Sequence, residues 1–213
     1  INIAYNYGDN SVYLTNLKTT ALSNLTAEIK VYNLDGTLIE EKKVNAQAES
    51  DGSEKIYSLP EGKPYSNVYF LDLKLNDQLG NIIAGNFYWL SRKNDIPDFK
   101  NTEWFYTPLS EYADFTDLNK LPVIKIDIED SILNKNNEYE VIVKLYNPNN
   151  KIAFLIELNV VGDKSGESVV PILWDDNYVS LTPMETKVVT GRFSFSALKG
   201  EKPVFRYKGW NIK

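Results

Sequence analysis

The sequence predicts an all-β protein: two tandem immunoglobulin-like antiparallel β-sandwiches joined by an ordered connector that contains aromatic and proline residues. Three observations indicate this fold. Apolar and polar residues alternate over most of the chain, turn residues separate the alternating segments, and helical spacing is not sustained anywhere. A length of 213 residues accommodates two sandwiches of about 100 residues each.

The first half of the chain shows strands and tight turns in regular succession. Residues 27–32 place apolar side chains on one face, and Asp35-Gly36 then supplies the positive φ that a hairpin turn requires. Residues 37–44 form the returning strand. Residues 69–75 alternate in the same way, and Gly80-Asn81 leads into a strand over 82–90.

Alternation stops between residues 91 and 122, where three prolines and several aromatic residues occur. A flexible linker would lack these aromatic residues, so we expect an ordered connector. Trp104, which lies in this stretch, is expected to pack between the two halves. The predicted domains are a first sandwich over 1–95, a connector over 96–115 and a second sandwich over 116–213.

The second half resumes the alternation. Its predicted strands are separated by the turn residues at 147–150 and 162–166 and cover residues 124–128, 139–146, 154–160, 169–174, 185–193 and 204–207.

Composition excludes several kinds of chemistry. The chain has no His and no Cys, so it cannot build a Ser-His-Asp or Cys-His nucleophile pair or a typical zinc, copper or haem site. Its net charge of −6 makes nucleic acid and anionic membranes unsuitable partners, and no apolar run has the roughly 18 residues of a membrane helix. We expect neither a metal nor another cofactor.

The remaining catalytic candidates are a carboxylate pair, a perturbed Lys or Tyr, and oxygen-ligated calcium. Carboxylate pairs come first, since glycoside hydrolysis uses two carboxylates. Glu40 and Glu41 are adjacent on a predicted strand and must point to opposite faces. Asp127 and Glu129 share the outer face of a strand, where solvated charges are ordinary. Both pairs are therefore interpreted as solvated surface charges.

Residues 174–178 form the candidate binding site. Trp174 ends a predicted strand, and Asp175, Asp176, Asn177 and Tyr178 follow it in a predicted loop. Carboxylate, amide and aromatic groups are the groups that recognise sugars, so Trp174, Asp176, Asn177 and Tyr178 are the predicted carbohydrate contacts. The alternative is a turn in which Asp or Asn satisfies its own backbone. A calcium site is a further alternative, without an EF-hand pattern to support it.

Several strings of residues, in this order, resemble the C-terminal β-sandwich domains of family 2 glycoside hydrolases of the exo-β-D-glucosaminidase and β-mannosidase type, including mannosylglycoprotein endo-β-mannosidases. The likeness extends over nearly the whole chain. The strings that carry it are residues 12–16, 31–36, 68–71, 86–91 (NFYWLS), 118–122 (LNKLP), 171–178 (PILWDDNY) and 181–183.

The resemblance implies a non-catalytic accessory region, because the enzymes carry both catalytic glutamates on a (β/α)₈ barrel that this chain lacks. The implied partners are that upstream barrel in the same polypeptide and a glycan substrate. Since Ile1 is not preceded by a Met or a signal-like segment, we expect a piece of a longer protein. Glycan degradation suggests export to the periplasm or the exterior. The alternative is a free-standing carbohydrate-binding or adhesive tandem sandwich.

Overall fold

The computed structural model describes all 213 residues and contains two compact units, Ile1–Lys120 and Leu121–Lys213. Both units are built from antiparallel strands, and the only helical segments are three 3₁₀ turns, so the all-β prediction is confirmed. No helix is long and apolar enough to cross a lipid bilayer. The predicted boundaries at residues 95 and 115 stay a prediction.

The first unit is a sandwich of a three-stranded and a four-stranded sheet, followed by a small two-stranded sheet. The strand orders are β1-β2-β5, β4-β3-β6-β7 and β8-β9. The strands are β1 (Asn2–Asn6), β2 (Ser11–Asn16), β3 (Leu22–Asn33), β4 (Leu38–Ala48), β5 (Gly52–Ser58), β6 (Val68–Asn76), β7 (Ile82–Ser91), β8 (Ile96–Pro97) and β9 (Leu109–Glu111).

Alternation explains the core of this unit. On β3, Ala27, Ile29 and Val31 are fully buried, and Leu71, Leu73 and Leu75 on β6 face them in antiparallel register. Gly36 has a φ of 86° in the turn between β3 and β4, and Gly80 a φ of 83° between β6 and β7, as the turn residues predict. The period-two pattern therefore identified the buried face correctly.

The second unit packs a four-stranded sheet, in the order β10-β11-β15-β13, against a three-stranded sheet, in the order β14-β12-β16. Its core includes Val141, Val143 and Leu145 from β11. The strands are β10 (Asp127–Lys135), β11 (Glu138–Tyr146), β12 (Ala153–Gly162), β13 (Leu173–Trp174), β14 (Val179–Leu181), β15 (Thr186–Ser194) and β16 (Pro203–Lys208). Each unit thus has its own core and the means to fold by itself.

Two strand predictions need correction. The strand expected over 169–174 is reduced to Leu173–Trp174, since Pro171 has no N–H to donate to a ladder. The strand expected over 124–128 begins only at Asp127; Ile124 instead makes an isolated parallel bridge with Ile212.

One asparagine arrangement recurs in both units. Asn16 and Asn147 are fully buried, and each side-chain amide nitrogen donates to three backbone carbonyls, including that of the residue four positions later. Each side-chain oxygen accepts from the backbone N–H two positions later, on Lys18 or Asn149. Each asparagine therefore links its own loop to a second loop. The backbone carbonyls of both loops thereby gain hydrogen-bond donors.

Alkaline pH should destabilise the first unit. Burial, followed by a hydrogen bond to the Glu40 carboxylate at 2.9 Å, raises the pKa of Tyr57 to about 12, and burial raises the pKa of Tyr65 to about 12. Unfolded tyrosine titrates near 10. The unfolded chain therefore releases these protons first, and the stability present below pH 10 is lost as pH rises towards 12.

Tyr57→Phe tests this expectation in denaturant titrations between pH 9 and 12. The slope of unfolding free energy against pH should become shallower, by at most about 1.4 kcal/mol per pH unit. An unchanged slope would show that Tyr57 ionises equally in both states.

Candidate functional site

The loop of residues 175–178 connects the two sheets of the second unit. It leaves β13, at the edge of one sheet, and enters β14, at the edge of the other. Trp174, the last residue of β13, lies opposite Gly191 on β15 and packs against the core. A Cβ atom added to Gly191 would lie 2.5 Å from Cε3 of the indole, so this glycine leaves the space that the ring occupies.

Asp175 holds the loop to the first sheet. Its two carboxylate oxygens accept from the backbone N–H of Thr190 at 2.9 Å and from the Thr190 hydroxyl at 2.7 Å. Its own N–H donates to the Thr190 carbonyl at 2.9 Å. The role of Asp175 could not be predicted from the sequence, because nothing local reveals that Thr190 lies across the sheet from it.

Asn177 holds the loop to the second sheet. Its side-chain oxygen accepts from Leu158 N–H at 2.8 Å, and its side-chain nitrogen donates to the Leu158 carbonyl at 3.0 Å. The side-chain amide of Asn177 therefore pairs with Leu158 on β12 as a backbone peptide group of a neighbouring strand would. The same oxygen also accepts from the N–H of Tyr178.

Asp176 and Tyr178 face outward between these two anchors. Asp176 forms an ion pair with Lys187 at 2.5 Å. Tyr178 is 57% exposed and has a φ of +55°, a conformation that is uncommon for a bulky residue. The two anchors hold this strained backbone and point the ring into solvent.

Lys208 adds a positive charge near the tyrosine. It pairs with Glu157 at 2.9 Å across β12 and β16. The pKa of Lys208 is raised, chiefly by its hydrogen bond to Glu157 and to a smaller degree by the phenol of Tyr178. Nowhere in the chain do three or more His, Cys, Asp or Glu residues gather as metal ligands would.

The four predicted residues thus lie together but differ in exposure. Trp174 and Asn177 are engaged in packing and backbone hydrogen bonds, whereas Asp176 and Tyr178 can meet a ligand. Their role in carbohydrate contact stays a prediction. Trp104 is 95% exposed, so its ring does not have the buried position expected of a residue that packs between the two halves.

Replacing Asn177 with Ala should destabilise the second unit by about 2 kcal/mol, because it leaves the buried Leu158 N–H and carbonyl without partners. Guanidinium unfolding measures the loss. The matched control is Asn150→Ala in an exposed turn, which we expect to change stability by less than about 0.5 kcal/mol. Equal effects of the two changes would contradict the anchoring role.

The fold and this loop define a class of tandem immunoglobulin-like β-sandwich proteins. Residues 104–212 match the sequence model of the exo-β-D-glucosaminidase Ig-fold domain, and residues 8–93 match that of the mannosidase Ig/CBM-like domain. The chain belongs to the exo-β-D-glucosaminidase Ig-fold domain family, as the resemblance predicted.

Individual relatives agree with this assignment. An exo-β-D-glucosaminidase of Amycolatopsis orientalis is 34% identical over 99% of this chain and 21% of its own length. That of Arthroderma benhamiae is 33% identical over 85% of this chain and 20% of its own length. The crystal structure of Amycolatopsis orientalis exo-chitosanase superposes with a TM-score of 0.91 at 32% identity, over 99% of this chain and 25% of that one.

The chain therefore spans about a fifth to a quarter of the length of the relatives it matches. It corresponds to their immunoglobulin-like portion, an accessory part of a larger protein.

Proposed function

We propose that the chain is the non-catalytic accessory region of a longer glycoside hydrolase of the exo-β-D-glucosaminidase or β-mannosidase type, and that it packs on the catalytic domain of the same polypeptide. One observation carries the proposal. The chain aligns over 99% of its length with an exo-β-D-glucosaminidase and accounts for only 21% of that protein. The remaining four fifths of such a protein leave ample room for a catalytic domain.

Three glutamates of the chain are unsuited to act as the general acid of a glycosidase. A general acid for glycoside hydrolysis needs a raised pKa. Hydrogen bonds from Lys63 and then Tyr57 instead lower the pKa of Glu40. The pKa values of Glu28 and Glu140 are also lowered, in each case first by a lysine hydrogen bond. These glutamates are therefore held as carboxylates by surface ion pairs.

Glycan contact is the second part of the proposal. The exposed ring of Tyr178 can stack on the apolar face of a pyranose, and the carboxylate of Asp176 can accept from sugar hydroxyls. Trp174 and Asn177 act as positioning residues, since they fix the loop by core packing and by backbone hydrogen bonds. In the full enzyme this loop would form part of the wall of the substrate cleft.

The test is hydrolysis of p-nitrophenyl β-D-glucosaminide by the full polypeptide and by the 213-residue chain. We expect nitrophenol release from the full polypeptide alone. We also expect little retention of the 213-residue chain on a chitosan column. Hydrolysis by the chain itself would overturn the non-catalytic assignment, and firm retention would favour the free-standing carbohydrate-binding protein.

Tyr178→Ser tests the glycan contact in the full polypeptide. Loss of a stacking ring should raise KM for chitosan oligosaccharides by about five-fold, since an aromatic contact contributes roughly 1 kcal/mol. Thermal stability should not change, because the ring is exposed. Leu133→Ser, a comparable exposed apolar residue on β10, is the control. An unchanged KM for Tyr178→Ser would remove this loop from the substrate site.

A further inference from the structure

A hairpin arm over residues 96–111 in the first unit carries a group of exposed aromatic side chains. Strands β8 and β9 form its base, and four aromatic side chains occupy its outer part. Phe99 is 78% exposed, Trp104 95%, Phe105 71% and Tyr106 55%. Together they expose on the order of 600 Å² of apolar surface, which is as large as the largest patch on a typical monomer.

The backbone of the arm is ordered by its own hydrogen bonds. Asp98 N–H donates to the Pro108 carbonyl at 2.8 Å, and Glu103 N–H donates to the Tyr106 carbonyl at 2.8 Å. The hydroxyls of Thr102 and Thr107 lie 3.2 Å apart across the hairpin. A two-stranded hairpin is only marginally stable in water unless its apolar face is covered. The arm therefore has a defined shape but no cover within the first unit.

The ring geometry argues against a sugar as the cover. Trp104 and Phe105 meet edge to face, with an interplanar angle of 77° and centroids 5.1 Å apart. Stacking of consecutive pyranose rings needs flat rings in one surface, whereas edge-to-face pairs are typical of packed protein interiors. The patch also reaches the scale of one side of a standard protein interface, about 800 Å².

We propose that this aromatic arm docks on the catalytic portion of the same polypeptide. The inference rests on the proposed function and names the surface through which the accessory region packs. The relatives indicate what covers the arm. This chain matches only about a fifth to a quarter of their length, so most of such a protein lies outside the chain and can provide the docking surface. Trp104 and Phe105 are the central contacts, because aromatic side chains in desolvated pockets dominate binding energy.

Hydroxyl-radical footprinting of Trp104 tests the docking. We expect its oxidation to be on the order of ten-fold slower in the full polypeptide than in the 213-residue chain, because an interface core excludes water. Leu17 and Leu79, which are both 80% exposed in other turns of the first unit, serve as internal references that should react equally in both proteins. Equal oxidation of Trp104 in both proteins would overturn the proposal.

Variants provide the second arm of the test. Trp104→Ser with Phe105→Ser should lower the thermal midpoint of the full polypeptide by several degrees and leave that of the 213-residue chain unchanged. Leu17→Ser with Leu79→Ser should change neither. Protection of Trp104 that appears only on addition of chitosan oligosaccharide, or only as the concentration of the 213-residue chain rises, would assign the arm to a glycan or to a second copy and would overturn the proposal.

The two proposals can fail separately. If the full polypeptide hydrolyses the glucosaminide while Trp104 stays reactive, the docking surface is wrong and the accessory function stands. If the full polypeptide contains no glycosidase, the proposed function fails, whatever the footprint of Trp104.

Discussion

Replacing Asn147 with Asp should destabilise the second unit by about 3–5 kcal/mol, a large part of the stability of an ordinary domain. The amide nitrogen of Asn147 donates to the carbonyls of Lys151, Leu181 and Thr182 at 2.7, 3.2 and 3.0 Å. A carboxylate at this fully buried position would face three carbonyl oxygens without a proton to donate. It would therefore lose the three donated hydrogen bonds and carry a buried charge with no cation beside it.

Guanidinium unfolding at pH 8 and pH 5 measures this effect. The variant should be less unstable at pH 5, because burial beside carbonyl oxygens raises the pKa of the new carboxyl group and protonation restores one donor. Asn150→Asp makes the same chemical change in an exposed position of the same turn and should shift stability by less than about 0.5 kcal/mol. Equal losses in the two variants would show that Asn147 does not hold the loops together.

Gly191→Ala should destabilise the second unit by about 1–3 kcal/mol, because the new methyl group overlaps the indole of Trp174. The nearest ring atoms would lie at 2.5, 2.7 and 2.9 Å, and a packed ring cannot move aside as the end of a flexible chain does. Displacement of Trp174 would also shift the adjoining 175–178 loop.

A double-mutant cycle with Trp174→Leu isolates this contact. Removing the indole relieves the overlap, so Gly191→Ala should cost much less in the Trp174→Leu background, and the two changes should not be additive. Trp174→Leu alone should lower the unfolding free energy because it leaves a void beside the core. Strict additivity would mean that the methyl group and the ring do not meet.

Strand alternation was readable from the sequence because burial of one face imposes a period of two on any half-buried strand. The alternation at Ala27, Ile29 and Val31 predicted β3 and its inward face, and Gly36 predicted the turn that follows it. The length of the strand predicted over 169–174 was overestimated. An apolar run also occurs in a buried segment that forms strand hydrogen bonds at only a few positions. The sequence therefore revealed periods and turns more reliably than strand ends.

Residues 175–178 form a loop, as predicted, but the sequence could not give its residues separate structural roles. Sequence spacing does not show that Asp175 meets Thr190 or that Asn177 pairs with Leu158, because both contacts join distant parts of the chain. The exposure of Trp104 could not be predicted from the sequence either. Tryptophan is usually buried, yet the position of Trp104 on a hairpin arm leaves its ring in solvent.

Determination of the complete reading frame that encodes this chain tests whether it is an accessory part of a larger glycoside hydrolase. We expect several hundred residues before Ile1, with the alternating strands and helices of a barrel and two glutamates at strand ends. A frame that begins with a signal peptide immediately before Ile1 would contradict this expectation and make a free tandem sandwich the explanation.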